Sequence, residues 1–477
     1  MKNKIFAFVL LSISSFFYTQ VKIVEGENFT VNYKYEKDLK LVLCDDYTQY
    51  LFCVVNEDGM NPENELAMRK FDQKGNQINM IVKDYRNKST PSIHNYLGST
   101  EIDNDRLVAF TEDYSNKAGK KVVYQHVFNK KDDTFTTTPI VSYDIESMMK
   151  SGTTKVKFSK NGKYVAIIND RFSNKKIPNL IDIIVLDVKT LSKYWEKQIE
   201  LDNEHDEVAE DITDSGRIVF LRKAKGFKVD AKILLASQYE QKEFPIETKL
   251  YLNDINCISI NDQDYVFSTG YYNVTRINQG DFNYMLFLNL QNGNTVVNRN
   301  ELLAPQINIE KIYINKVFEE NGKSNIFYQV VTKTEQPSTQ DHPFPDPIYN
   351  YEKAYVLQLD NEGKIIYNTK IGDYDDYRGK MQIFKNNGIV YVSNKFNSKG
   401  RNPRYSYISF LRGYKLSDFS SFIPEAKNQD DDNVFNNYYF YDDYVWKYLP
   451  EVNRLMIVRK NGNSQMSMIS FYNTINN

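Results

Sequence analysis

Short strand-like runs that follow one another closely constrain this chain most. Runs 156–158 and 164–168 are rich in β-branched and aromatic residues, and the Asn161-Gly162 pair between them is typical of a two-residue hairpin. Two further runs, 181–186 and 194–201, follow on either side of a polar turn. The stretch therefore predicts four short antiparallel strands within about 50 residues.

This unit recurs along the chain. Its second strand is apolar and stands before a polar connection, and eight such runs are centred on Val54, Ala109, Ala166, Val219, Val266, Phe327, Val390 and Ile457. Repeated four-stranded units that surround an axis form a β-propeller. We predict an all-β fold, a single β-propeller of four-stranded blades. The spacing favours eight blades, with seven as the alternative.

The two ends of the chain are predicted to meet in one sheet. The last unit lacks a fourth strand, and residues 28–36, where apolar and polar residues alternate, could supply it. This closure would remove an exposed sheet edge.

The first residues predict export. Lys2 and Lys4 precede an apolar run at 5–17, which has the length of a signal-peptide core and is too short to span a bilayer. We predict a signal peptide at 1–20 and a propeller domain at 21–477, located in the periplasm or secreted. No later apolar run is long enough to predict a transmembrane helix.

Charge points to one face of the predicted propeller. The net charge of -2 argues against nucleic acid as a partner. Connections from second to third strands emerge on one face, which is usually the binding face, and they carry 17 Lys or Arg against 9 Asp or Glu. The windows counted are 112–121, 169–180, 222–231, 270–282, 332–353 and 394–404. Such an excess would attract anionic ligands, although loop cations can also simply be solvated.

The candidate ligand-binding residues come from these connections. Tyrosines beside an arginine can stack on a sugar or a base, and the proline-rich connection 332–353 carries a histidine. The alternatives are a tyrosine that fills its own loop and a histidine without a role. We predict no metal site and no cofactor. The candidates are Arg222, Lys225, Tyr271, Tyr272, Arg276, His342, Arg401 and Arg404.

Cysteine spacing leaves two possibilities open. If 41–46 and 51–55 form a hairpin with a four-residue loop, Cys44 faces Cys53. An exported protein could hold a disulfide there, or the two thiols could be free and buried. Cys257 has no evident partner and is expected in the core.

One stretch resembles a known group of proteins. The segment FSKNGKYVA at 158–166, followed by 183–190, resembles the FSPDGKYIAF … IYVMDLKTG pattern of TolB-like and WD40-like bacterial propellers, and 214–220 is a fainter copy. The resemblance implies a propeller with a periplasmic interaction role, and it assigns no site.

Catalytic signatures are not found in the sequence. It contains no GxSxG, HExxH or CxxC motif, no EF-hand loop and no phosphate-binding glycine loop. We therefore predict an exported, non-enzymatic propeller that binds a protein or an anionic glycan or other polymer. The alternatives are a carbohydrate-active or quinone-dependent enzyme on the same scaffold, and a structural component of a cell-envelope assembly.

Overall fold

The structure is a computed structural model of the chain. It describes residues 20–32, 35–56, 64–83, 95–115, 117–173, 179–225, 230–247, 249–252, 254–272, 282–300, 302, 309–335, 348–360, 363–371, 381–386, 388–393, 396–397, 406–407, 411–415, 421–422, 439–440, 445–460 and 466–475. Of the predicted signal peptide, 1–20, residues 1–19 lie outside them, and the signal peptide stays a prediction.

The first four sheets follow one another along the chain, and each is antiparallel. Sheet 1 contains Glu36–Val42, Thr48–Asn56, Asn64–Asp72 and Gln77–Lys83. Sheet 2 contains Asn95–Glu101, Arg106–Ser115, Lys120–Asn129 and Thr134–Asp144. Sheet 3 contains Thr153–Phe158, Tyr164–Asp170, Asn179–Asp187 and Lys193–Leu201. Sheet 4 contains His205–Ile212, Ile218–Ala224, Ala231–Ala236 and Gln241–Pro245.

The remaining sheets continue this order. Sheet 5 contains Leu250–Leu252, Asn256–Ile260, Gln263–Tyr272, Phe282–Asn289 and Thr295–Arg299. Sheet 6 contains Ile309–Glu320, Lys323–Thr334, Ile348–Leu359 and Ile365–Ile371. Sheet 7 contains Gln382–Asn386, Ile389–Ser393, Leu411–Lys415 and Ser421–Phe422. Sheet 8 contains Tyr439–Phe440, Trp446–Leu449, Arg454–Lys460, Met466–Ile475, Gln20–Glu25 and Phe29–Thr30.

Little else in the described residues is regular. Phe396–Asn397 pairs with Ser406–Tyr407, and Met148–Lys150 and Pro450–Val452 are single 3₁₀ turns. No helix among the described residues is long and apolar enough to cross a membrane.

Buried apolar clusters join the sheets in a cycle. One cluster is shared by sheets 1 and 2, another by sheets 2 and 3, and so on to sheets 7 and 8. A last cluster joins sheet 8 back to sheet 1 through Met456 and Ile469 on one side and Leu41 and Leu51 on the other. A ring of sheets that pack face to face is the architecture of a β-propeller. The all-β propeller prediction is confirmed; the number of blades stays a prediction, and these eight clusters favour eight.

The N-terminal segment closes sheet 8, but mainly with other residues than predicted. Gln20–Glu25 pairs antiparallel with Met466–Ile475. From the predicted segment 28–36, only Phe29–Thr30 pairs with that strand, and Glu36 already begins sheet 1. Phe29 is buried in the cluster between sheets 8 and 1.

Of the two possibilities for Cys44 and Cys53, the structure shows free thiols and no disulfide, because the first hairpin has another register. Asp45 Oδ1 accepts hydrogen bonds from the N–H groups of Tyr47 and Thr48, at 2.7 Å each, so the turn begins early and Val42 faces Tyr50. Cys44 then lies in the turn and does not face Cys53. Both thiols are free, and so is Cys257.

Candidate functional site

Two kinds of connection meet at one end of the sheets. Because the strands are antiparallel, the second-to-third-strand connection and the connection to the next sheet emerge on the same side. We call this end the loop face. Between sheets 2 and 3 it is formed by 116–119, 145–152 and 171–178, of which 116 and 174–178 lie outside the described residues.

The loop face contains a cavity between sheets 2 and 3. Its volume is about 320 Å³, near the lower end of the range for small-ligand pockets. We call it the face cavity. It is lined by Ser142, Tyr143, Asp144, Glu146, Lys150, Ser151, Asn169, Arg171 and Phe172.

Two residues that line this cavity, Asn169 and Arg171, belong to a polar network. The buried Lys121 donates from Nζ to Asn169 Oδ1 at 2.6 Å, and Asn169 Nδ2 donates to Asp182 Oδ2 at 3.2 Å. Arg171 pairs with both oxygens of Asp182, at 2.6 and 2.8 Å. Burial lowers the pKa of Lys121. Burial alone would raise the pKa of Asp182, but the hydrogen bonds from Arg171 and other donors outweigh it and lower that pKa.

Tyr143 is the residue of this cavity whose polar group is not satisfied. Its hydroxyl is buried and has no hydrogen-bond partner among the described residues. Lys121 Nζ lies 5.6 Å from the centre of its ring. Burial raises the pKa of Tyr143, so the hydroxyl keeps its proton and can donate. A buried donor without an acceptor costs about 1–3 kcal/mol, and a ligand oxygen would relieve that cost.

The rim carries charges of both signs. Lys120 pairs with Asp144, and Lys150 Nζ lies 2.7 Å from Glu146 Oε1. The neighbouring Met149 is 94% exposed. Its 3₁₀ turn is held by Ser151 Oγ, which donates to Met148 O at 2.8 Å.

Of the predicted site residues, Arg222 is excluded from ligand contact by burial. It lies within Ile218–Ala224 and is 1% exposed. Its Nη1 lies 2.6 Å from Asp202 Oδ2, and Nη2 donates to His205 O at 3.0 Å. This guanidinium therefore anchors the connection between sheets 3 and 4.

Of the other predicted residues, the structure describes Lys225, Tyr271 and Tyr272. Lys225 is half-exposed and lies 3.4 Å from Asp206 Oδ1. Tyr271 and Tyr272 end the strand Gln263–Tyr272 and are not in a loop; Tyr271 is buried, and the Tyr272 hydroxyl lies 3.4 Å from Glu247 Oε1. Arg276, His342, Arg401 and Arg404 lie outside the described residues.

The predicted cation excess is largely neutralised where the structure describes this face. Lys120, Arg171, Arg222 and Lys225 each pair with a carboxylate. Most of those acids stand at strand ends or in sheet-to-sheet connections, which the predicted windows omitted. Acidic residues from other parts of the chain therefore neutralise much of the positive charge that the second-to-third-strand connections carry.

A second charged group lies on the first strands of sheets 3 and 4, and sequence reasoning missed it. Lys155 Nζ lies 2.6 Å from Glu210 Oε2 and 3.5 Å from Glu207 Oε1, and Lys157 Nζ lies 3.1 Å from Glu210 Oε1. Burial raises the pKa of Glu207 to about 8. Burial acts on Glu210 as well, but the two lysines outweigh it and lower its pKa. The sequence signal for this group was the charged residues separated by apolar residues in KVK and in EVAE.

Metal binding has no support in the described part of the chain, where no group of three or more His, Cys, Asp or Glu residues is placed to hold an ion.

Comparison with known proteins returns similarity at the level of structure. No protein-family model and no curated protein matches the sequence. The β-propeller domain of the Trilobed protease from Pyrococcus furiosus, with its open velcro topology, matches at 10% identity and a TM-score of 0.38, over 84% of this chain and 98% of that one. A post-proline cleaving enzyme from Rickettsia typhi matches at 12% identity and a TM-score of 0.39, over 90% of this chain and 58% of that one. The Dos1 propeller matches at 10% identity and a TM-score of 0.31, over 76% of this chain and 91% of that one.

Proposed function

We propose that the protein is an exported, non-enzymatic β-propeller that binds a polypeptide segment at the face cavity of its loop face. The observation that carries the proposal is Tyr143, a residue that lines this cavity and whose buried hydroxyl has no partner among the described residues. A backbone carbonyl oxygen of a bound peptide would accept its hydrogen bond.

The charged groups in and beside the face cavity favour a polypeptide over an anionic polymer. The ion pairs Lys120–Asp144, Lys150–Glu146 and Arg171–Asp182 offer both signs of charge, which a uniformly anionic polymer cannot complement. The exposed Met149 adds an adaptable apolar contact.

Peptide arrays and glycan arrays, probed with the purified protein at two salt concentrations, test this proposal. We expect peptides to be enriched over glycans, with moderate sensitivity to salt. The Tyr143→Phe variant removes only the hydroxyl and should weaken binding about two- to tenfold, because one neutral hydrogen bond is lost.

Tyr239→Phe is the matched control for this variant. Tyr239 is 91% exposed and lies between the third and fourth strands of sheet 4, on the opposite face. The Tyr239→Phe variant should bind peptides as the unchanged protein does. Enrichment of glycans alone, or equal binding by Tyr143→Phe and Tyr239→Phe, would contradict the proposal.

A carbohydrate-active enzyme is the second candidate. It is favoured by Glu207 and Glu210, whose carboxyl pKa values are shifted in opposite directions, as an acid and a base require. Release of reducing ends from polysaccharides, abolished by Glu207→Gln, would support it; a complete lack of turnover would count against it.

A further inference from the structure

A second cavity lies on the face opposite the loop face, between sheets 5 and 6. Its volume is about 360 Å³. We call it the amide cavity. Its main lining residues are Gln263, Tyr265, Phe287, Asn289, Asn292 and Asn294.

The turn after Phe282–Asn289 holds the asparagines in place. Asn289 Oδ1 accepts hydrogen bonds from the backbone N–H groups of Gln291 and Asn292, at 2.9 and 3.2 Å. Gly293 takes a φ of +81°, which glycine adopts without strain. Asn292 Oδ1 in turn accepts from the Asn294 N–H at 2.8 Å. The amides therefore project from a fixed backbone, and a bound ligand has little of the turn to order.

The wall of the amide cavity carries polar groups but no charge. Its lining contains no Lys, Arg, Asp or Glu side chain. An ion that entered it would lose hydration without meeting a counter-charge, which is costly. The buried rings of Tyr265 and Phe287 form an apolar part of the wall. A ligand that fits must be neutral, with hydrogen-bonding groups beside an apolar face.

Hydrogen-bond capacity remains on this wall. Gln263 Oε1 accepts from Asn289 Nδ2 at 2.8 Å. The side-chain N–H groups of Gln263 and Asn292, and the whole side-chain amide of Asn294, make no hydrogen bond within the described residues, and both Gln263 and Asn294 face solvent. Amides both donate and accept, as do hydroxyls. Neighbouring hydroxyls on one ring can therefore pair with neighbouring amides.

We propose that the amide cavity binds a neutral saccharide unit, with its hydroxyls on the amides of Gln263, Asn292 and Asn294 and its C–H face toward the aromatic part of the wall. This site is separate from the face cavity and does not depend on the proposed peptide binding.

Saturation-transfer NMR on the full protein tests this site. The probes are glucose, galactose, mannose and N-acetylglucosamine, with glucuronate as the charged counterpart of glucose. We expect transfer to at least one neutral sugar and weaker transfer to glucuronate. Asn294→Ala should weaken neutral-sugar binding about two- to tenfold, the effect of one lost neutral hydrogen bond. Because Asn294 is exposed, the Asn294→Ala variant should have the same Tm as the unchanged protein.

The Gln263→Ala variant supplies a second measurement at the same wall, with a similar expected loss. Tyr143→Phe, at the face cavity, should leave sugar binding unchanged, and Asn294→Ala should leave peptide binding unchanged. These crossed controls separate failure of this site from failure of the proposed function. Absence of transfer to all neutral sugars, preference for glucuronate, or transfer unaffected by both Asn294→Ala and Gln263→Ala would overturn the proposal.

Discussion

Asp254 should make the folded protein less stable as the pH rises toward neutrality. Its Oδ2 accepts hydrogen bonds from Ile312 N at 2.7 Å and from Asn256 Nδ2 at 3.2 Å, which links sheet 5 to sheet 6. Its Oδ1 is buried without a partner among the described residues. Burial, which outweighs these hydrogen bonds, raises the pKa of the carboxyl to about 7.

The sign follows from where the proton is held. An unfolded aspartate loses its proton near pH 4, whereas folded Asp254 keeps it to about pH 7. The folded state therefore binds more protons between these values, and its stability falls as the pH rises through them. Three pKa units correspond to about 4 kcal/mol. This is an upper limit, because the residue as a whole is only half-buried.

Urea denaturation of the unchanged protein and of Asp254→Asn, from about pH 4 to pH 8, measures this effect. The amide keeps an acceptor for Ile312 N and, like the protonated carboxyl, places a donor at the Oδ1 position, but it does not titrate between these pH values. The variant should therefore gain stability relative to the unchanged protein as the pH rises from about 4 to about 8. The control is Asp262→Asn, at an exposed turn residue. A stability difference that stays constant with pH would refute the reasoning.

Three further predictions concern stability and thiol chemistry. Arg222→Ala should destabilise the protein by about 1.5–3 kcal/mol in urea denaturation, because it removes a buried guanidinium with its charge-assisted hydrogen bonds, while the partly exposed Asp202 keeps Lys232 as a partner; a loss below about 1 kcal/mol would contradict this. Phe29→Ala should cost about 3–5 kcal/mol by removing a buried ring at the closing strand, and the exposed Thr30→Ala should change stability by less than about 0.5 kcal/mol. The buried Cys53 should react with iodoacetamide only after unfolding and the half-buried Cys44 only slowly before it, since burial raises both thiol pKa values, that of Cys44 to about 12; a mass lower by two hydrogen atoms before reduction would reveal a disulfide instead.

The strands were predictable because their signals are local. The anchors from Val54 to Ile457 lie in eight different sheets, six of them in the second strand of the sheet. Val266 and Ile457 lie in the strand that follows two shorter strands, in sheets 5 and 8. Apolar side chains mark these strands because they are buried on both faces between neighbouring sheets. Turn geometry was less predictable. Of the Asn161-Gly162 pair, only Gly162 takes a positive φ, because Asn161 Oδ1 instead accepts from Ser159 Oγ in a longer connection.

The candidate site was predictable as a face but not as a set of residues. Arg222 was predicted as a ligand-binding residue because of its charge. Its partner Asp202 lies 20 positions away, in a connection outside the windows in which charges were counted. Tyr143 was not predicted as a site residue. The chain has 36 tyrosines, and nothing in the local sequence distinguishes Tyr143 from the others.

By itself, the sequence determined an all-β chain of repeated antiparallel units, because alternation and turn residues act over a few neighbouring positions. Only the tertiary structure decided which N-terminal residues complete sheet 8, which cations are neutralised and where cavities remain. Each of these depends on residues far apart in the chain, such as Lys121 and Asn169 or Gln20 and Ile475. Such pairs leave no periodic mark in sequence, since packing and not spacing brings them together.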